Sequence, residues 1–163
     1  MHSPDASILR HATPADAAIA LSWTPAAESL RRWAGPGTRW PATPESLWAD
    51  ISSPDATTFA LEPSGLGLVG FGQVRFRAQA YGHLARIIVS PNHRGLGLGR
   101  SLCTALMREA VRLHPIKAFS LYVFPDNPHA IALYRSLGFV ERGRHEKFDC
   151  LLMEAPLPAV TPS

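Results

Sequence analysis

Arg94, Gly95, Gly97, Gly99, Arg100 and Ser101 stand together in residues 94–101, with glycine at alternate positions between two arginines. Glycine turns sharply at little cost and has no side chain to keep a ligand away from its N–H group. From Leu98 onward the pattern is that of an amphipathic helix. The first N–H groups of a helix have no intrahelical partner and lie at the positive end of its dipole. Free N–H groups, a helix start and two guanidiniums make a seat for phosphate oxygens. The chemistry indicated is the binding of an anionic, phosphate-bearing ligand. Spacing narrows the choice. A dinucleotide fingerprint counted from Gly95 and Gly97 would need glycine where Arg100 stands, and no Gly-Lys-Ser/Thr closes the loop as a nucleotide P-loop requires.

A second group lies downstream. Residues 118–124, Ala-Phe-Ser-Leu-Tyr-Val-Phe, alternate and are rich in aromatic and branched side chains, so they read as a strand. Asn127-Pro128 starts a short helix, because Asn caps well and Pro suits the first helical position. Gly138 closes that helix as a left-handed cap, and Phe139 opens the next strand.

Together the two segments resemble the GCN5-related N-acetyltransferase family. Arg94-x-x-Gly97-x-Gly99 is similar to its pyrophosphate signature. Asn127, Ala130, Tyr134, Gly138 and Phe139 are in register with its downstream Asn-x-x-Ala-x-x-x-Tyr-x-x-x-Gly-Phe pattern. The resemblance covers about residues 7–155. It implies acetyl-coenzyme A as acetyl donor, transferred directly to a primary amine of a small molecule or peptide, with no metal. The pyrophosphate would lie on Arg94, Gly95, Leu96, Gly97, Leu98, Gly99, Arg100 and Ser101. The pantetheine arm would enter between two splayed strands, Leu84–Val89 and Ala118–Phe124, pairing near Ile87, Ile88 and Val89, with Asn127, Ala130 and Tyr134 beside it.

Transfer of acetyl to an amine needs the amine deprotonated, the oxyanion stabilised and the leaving thiolate protonated. Tyr134 matches the position of the family's acid, and a phenol (pKa ~10) is near enough to a thiol (~8.5) to serve. Its alternative role is packing, and for Asn127 it is simple capping. Relatives that acetylate protein N-termini have a glutamate five residues before the Asn; here that residue is Tyr122, a poor base at neutral pH. Glu28, His83 and His145 are the remaining candidates, each more readily read as a solvated surface group, and no base is assigned. The missing glutamate keeps a second reading open, a non-catalytic acyl-coenzyme A-binding module. Tyr134 speaks against it.

The acceptor site of the resemblance is built by the segment after the first helix. All four tryptophans fall in the first third of the chain, among Arg31, Arg32 and Arg39. Trp33, Arg39, Trp40 and, at the place of the glutamate, Tyr122 are the candidate acceptor residues. Indoles can wall a pocket or hold a cation; arginines can grip a carboxylate. The tryptophans read more readily as core anchors for the helices on the sheet.

These residues need elements to position them. The chain has 163 residues, 46% of them apolar, which is enough for one core and one domain. The domain is read as 1–163, with a core at 7–155 and a tail at 156–163. A net charge of +3 with sixteen scattered Lys and Arg shows no basic stripe, so no nucleic-acid partner is expected. Cys103 and Cys150 lack disulfide or metal spacing and read as small fillers. No signal-like or membrane-length apolar run is seen, so a cytoplasmic protein without a membrane partner is expected, as monomer or homodimer.

Strand Ser7–His11 comes first. Helices follow at Thr13–Trp23, Ala26–Trp33 and Thr43–Ile51, then strands Thr57–Glu62 and Leu66–Arg77. A hinge at Ala78–Gly82 returns the chain as strand Leu84–Val89. A long helix, Gly97–His114, leads to strand Lys117–Phe124 and the Asn127 helix. A hairpin, Val140–His145 with Phe148–Ala155, ends the core. The order predicts an α+β fold with helices on both faces of a mixed, mostly antiparallel sheet.

Overall fold

The computed structural model describes residues 7–157. Three helices open on the cap-and-proline signal. Helix α1 (Pro14–Ser22) starts at Thr13, α3 (Pro44–Ile51) at Thr43 and α5 (Pro128–Ser136) at Asn127, each cap side chain accepting from a first-turn N–H. Pro costs nothing at a position whose N–H is unpaired anyway. Helix α2 (Ala27–Ala34) ends at Gly35 with φ 95°, and α4 (Leu98–Leu113) is the long helix after the glycine loop.

Seven strands form one sheet in the order β1 (Ser7–His11), β2 (Ala56–Pro63), β3 (Gly70–Arg77), β4 (Tyr81–Val89), β5 (Ala118–Val123), β7 (Leu151–Pro156), β6 (Val140–Arg144). Every neighbouring pair is antiparallel except β4 with β5. One face packs Leu84, Phe119, Leu121 and Met153 under α4 and α5. The opposite face packs Phe71 and Ile88 under α1, α2 and α3. The expected α+β class, with helices on both faces, is what the chain adopts.

Two local irregularities shape the centre of the sheet. The β4–β5 pairing runs only from Tyr81–Ala118 to Leu84–Leu121, so beyond Leu84 the two parallel strands part. Between Phe71–Ile88 and Gln73–Ala85, β4 also carries one residue more than β3. The extra residue makes a β-bulge, in which Arg86 takes φ 51°.

Several boundaries differ from those read in the sequence. β3 begins at Gly70 rather than Leu66, because Gly65 and Gly67 take φ of 84° and 68° and keep the chain turning. β4 begins at Tyr81 rather than Leu84, since the hinge shrinks to one 3-10 turn at Ala78–Ala80. β7 begins at Leu151 rather than Phe148, because the backbone N–H groups of Lys147 and Phe148 turn back onto His145 Nδ1. Pro156, assigned to the tail, closes β7; residues 158–163 of that tail lie outside the described residues.

Candidate active site

The glycine loop follows directly from the end of β4. Gly95 and Gly97 both take φ 78°, a left-handed conformation that costs other L-residues energy, and Gly97 is the N-cap of α4. Gly97 has no side chain to cap the helix. The first main-chain bond is made by Ser101 N–H to Gly97 C=O at 3.2 Å, which leaves the N–H groups of Leu98, Gly99 and Arg100 without intrahelical partners. No acidic residue sits in this first turn. Arg94 and Leu96 are exposed, and Arg100 bonds Ser136 at the end of α5. A Cβ added at Gly99 would lie 3.4 Å from Leu133 and 4.0 Å from Val89, so the helix start abuts both the β4 end and α5.

Where β4 and β5 part, a cleft of about 360 Å³ opens. The β4 side supplies Leu84 to Ile87 and the β5 side Leu121 to Val123. Asn127, Ala130 and Tyr134 come from α5, and Arg31, Arg32 and Trp33 from α2. Ile87 thus lines the cleft, while Ile88 is buried in the α1–α3 core and Val89 packs towards α4. Asn127 Oδ1 accepts from Ala130 N–H at 3.3 Å, so capping is one of its tasks.

Tyr134 is buried with its ring edge-on to Phe139, and it lines the cleft. Desolvation, reinforced by the nearby Cys103 thiol, raises its pKa well above that of a free phenol, so the hydroxyl keeps its proton at neutral pH. Burial likewise pushes the Cys103 thiol up to about 12, and Cys103 fills core space as expected.

Of the three candidate bases, Glu28 and His83 are poorly suited to take a proton. Glu28 is exposed and bonded to Arg31 at 3.1 Å, which lowers its pKa. His83 is buried, not a surface group; its Nδ1 lies 2.8 Å from Ser120 Oγ, and desolvation, with Arg77, Arg75 and Arg86 nearby, depresses it to about 3. His145 lines the cleft between the rings of Tyr122 and Phe148. Its Nδ1 accepts two backbone N–H groups, at 3.0 and 3.3 Å, so its neutral form carries the proton on Nε2.

The acceptor candidates divide. Trp33 lines the cleft but is also an anchor: its Nε1–H donates to Arg86 C=O at 2.8 Å and its ring meets Phe71 edge-on. Tyr122 lines the cleft, tilted against His83. Arg39 and Trp40 are not brought there. Arg39 is tied to Asp50 by bonds of 2.9 to 3.2 Å, and Trp40 is 51% exposed; neither borders the cleft. Composition suggested a pocket there, but the Arg39 side chain is bound to Asp50 of α3.

Arg75, Arg77 and Arg86 were missed by sequence reasoning. All three line the cleft. Arg86 is held by Gln73 Oε1 and Ala34 C=O, both at 2.8 Å, and desolvation lowers its pKa to about 10. The signal lay in β3, where Gln73, Arg75 and Arg77 occupy alternate positions of a central strand and so share one face. A second, open cavity of about 570 Å³ adjoins the cleft, sharing Arg75, Arg77, His83 and Tyr122.

Parallel strands β4 and β5 part beside an uncapped, glycine-rich helix start, a geometry suited to an extended phosphate-bearing ligand. Residues 27–139 match the acetyltransferase (GNAT) family, and the chain belongs to it. It is 30% identical over 161 residues to an IAA acetyltransferase of Azospirillum brasilense, covering 94% of this chain and 99% of that one. It is 35% identical over 60 residues to a probable spermine N(1)-acetyltransferase of Bacillus subtilis subsp. natto, covering 37% of this chain and 40% of the length of that protein. The fold is similar to that of spermidine N-acetyltransferase from Vibrio cholerae in complex with CoA and spermine, with TM-score 0.76, 22% identity and coverage of 93% and 96%. Among the described residues no helix is long and apolar enough to cross a membrane.

Proposed function

We propose that this protein is an acetyl-coenzyme A-dependent N-acetyltransferase that moves acetyl directly to a primary amine. The observation that carries the proposal is the parting of β4 and β5 beyond Leu84, with the glycine-rich start of α4 beside the β4 end and Tyr134 on the cleft wall. The Arg94–Ser101 loop holds the donor's pyrophosphate through main-chain N–H groups, and β4 lends main-chain groups near Ile87, Ile88 and Val89 to the pantetheine arm. The donor supplies a thioester carbonyl. The amine lone pair attacks it, the new N–C bond forms, the C–S bond breaks, and the amine's proton leaves to water.

Two features of the chain assist. Guanidiniums around the cleft disfavour a second positive charge, so a bound ammonium is driven to the free, nucleophilic amine without a dedicated base. Tyr134 gives its proton to the departing thiolate and recovers one from solvent. Burial keeps the phenol neutral, so it holds a proton to offer as negative charge develops on the leaving sulfur. The cytoplasm is the proposed compartment.

The test is thiol release from acetyl-coenzyme A over a panel of amines. Turnover on any amine supports the proposal. Calorimetric binding of acetyl-coenzyme A with no release on any amine would instead favour the non-catalytic binding module.

A further inference from the structure

We propose that Arg75 and Arg77 form a carboxylate clamp for the acceptor, so that the amine acetylated here also carries a carboxylate, as an α-amino acid does. This rests on the N-acetyltransferase reading above. Two residues apart on β3, the arginines present their side chains to the same face, where the cleft meets the open cavity. Among the described residues, the cleft is lined by five arginines, Arg31, Arg32, Arg75, Arg77 and Arg86, and by no carboxylate.

The nearby acids leave this demand unmet. Glu28 and Asp126 serve Arg31 and Arg32 from outside the cleft. Asp55 and Glu154 border only the open cavity. Asp55 reaches Arg75 Nη2 at a loose 3.5 Å while also accepting from Ser53, and Glu154 lies 4.0 Å from Arg142. Arg86 is committed to Gln73 and Ala34. Arg75 and Arg77 are what remains. The Nε of Arg75 is buried with no hydrogen-bond partner among the described residues, an arrangement that folded proteins seldom tolerate without a ligand or water to meet it. Arg77 stands over the Tyr122 ring, 5.9 Å from its centroid, and pairs with no carboxylate among the described residues. A planar carboxylate meets such donors with charge-assisted bonds.

Tyr134 lines the same cleft as Arg75 and Arg77, so the clamp and the acid face one space. A polyamine places its further ammonium groups among uncompensated guanidiniums. The clamp therefore selects against polycations.

The test compares thiol release with free α-amino acids, their carboxamides and spermidine, using the wild type and Arg77→Gln. The wild type should prefer the best free amino acid over its carboxamide by at least about tenfold in kcat/KM, the worth of one charge-assisted bond. In Arg77→Gln that ratio should shrink towards one, with the affinity for coenzyme A unmoved. A preference for carboxamides or spermidine, or an unchanged ratio in the variant, overturns the clamp while leaving the N-acetyltransferase reading standing. No turnover on any amine removes the reading and the clamp with it. A second measurement does not need turnover: N-acetylated amino acids titrated into the coenzyme A-loaded protein should bind more tightly than their amides. Equal binding to the folded, coenzyme A-loaded protein sinks the clamp.

Discussion

Arg86 shows how one residue sets the centre of the site. Its φ of 51° is unusual for a side chain of this size, and such backbone persists only where the surroundings over-determine it. Here they do: the carbonyl accepts from Trp33, and the guanidinium bonds Ala34 C=O and Gln73 Oε1. Gln73 in turn donates to Ile51 C=O at 2.8 Å, so α2, the bulge and the end of α3 are joined by side chains of two residues. Trp33 is therefore a poor probe of acceptor binding, because its loss also frees the bulge. Tyr134 is a cleaner target. Replacing it with Phe keeps the ring against Phe139 and removes only the hydroxyl. Loss of one general acid is commonly worth ~10²–10⁴ in rate. Tyr134→Phe should lower kcat by an amount in that range, with little change in the dissociation constant for acetyl-coenzyme A. Steady-state kinetics paired with calorimetry decides it, and full activity in the variant would reduce Tyr134 to packing.

The start of α4 offers a sharper experiment than the type of its residues suggests. A side chain at Gly97 meets nothing within 4 Å but must adopt φ 78°, which costs an L-residue about 1–2 kcal/mol. At Gly99 the backbone is helical, and a Cβ would touch Leu133 only at ordinary van der Waals distance. Gly99→Ala should thus leave thermal stability equal or raise it by up to about 1 kcal/mol through helix propensity. Coenzyme A affinity should fall at least about tenfold, if bare N–H groups at this turn are what the phosphates approach. Unchanged affinity in the folded variant would move the phosphate seat elsewhere. This loop and the Asn127 helix were legible in the sequence because their signals are local: a run of glycines, a cap followed by proline, a glycine closing a helix. The bulge was not legible. Nothing in Ala85-Arg86-Ile87 announces an extra residue, which exists only relative to β3. Arg39 and Trp40 were misplaced for a related reason, since composition near a pocket does not fix which way a loop turns its side chains. Arg75 and Arg77 could have been found, because basic residues at alternate positions of a central strand must share a face.

The two faces of the whole molecule are not alike. One is closed along its length by α4 and α5, with Leu84, Phe119, Leu121 and Met153 beneath. On the other, α1, α2 and α3 cover Phe71 and Ile88, while Arg75, Arg77, His83, Ser120 and Tyr122 border open space. The layer that positions the ligand is thus also the one that exposes charge, and His83 lies where the two requirements meet. It is 4% exposed, bonded to Ser120, and faced by Arg77, Arg75 and Arg86. Desolvation first, and those three cations second, depress its pKa from 6.5 to about 3. Between those values the unfolded chain binds a proton that the folded chain refuses. Stability from this group is therefore complete above about pH 6.5 and is lost as pH falls towards 3, by about 1.4 kcal/mol per unit within that window. His83→Gln keeps a hydrogen-bonding side chain beside Ser120 but cannot titrate. Urea unfolding of both proteins from pH 7.5 to 4.5 should give a stability difference that changes with that slope below pH 6.5 and is flat above it. The other six histidines cancel in the comparison. A difference that stays constant across the range would mean that His83 takes up its proton in the folded state despite its burial.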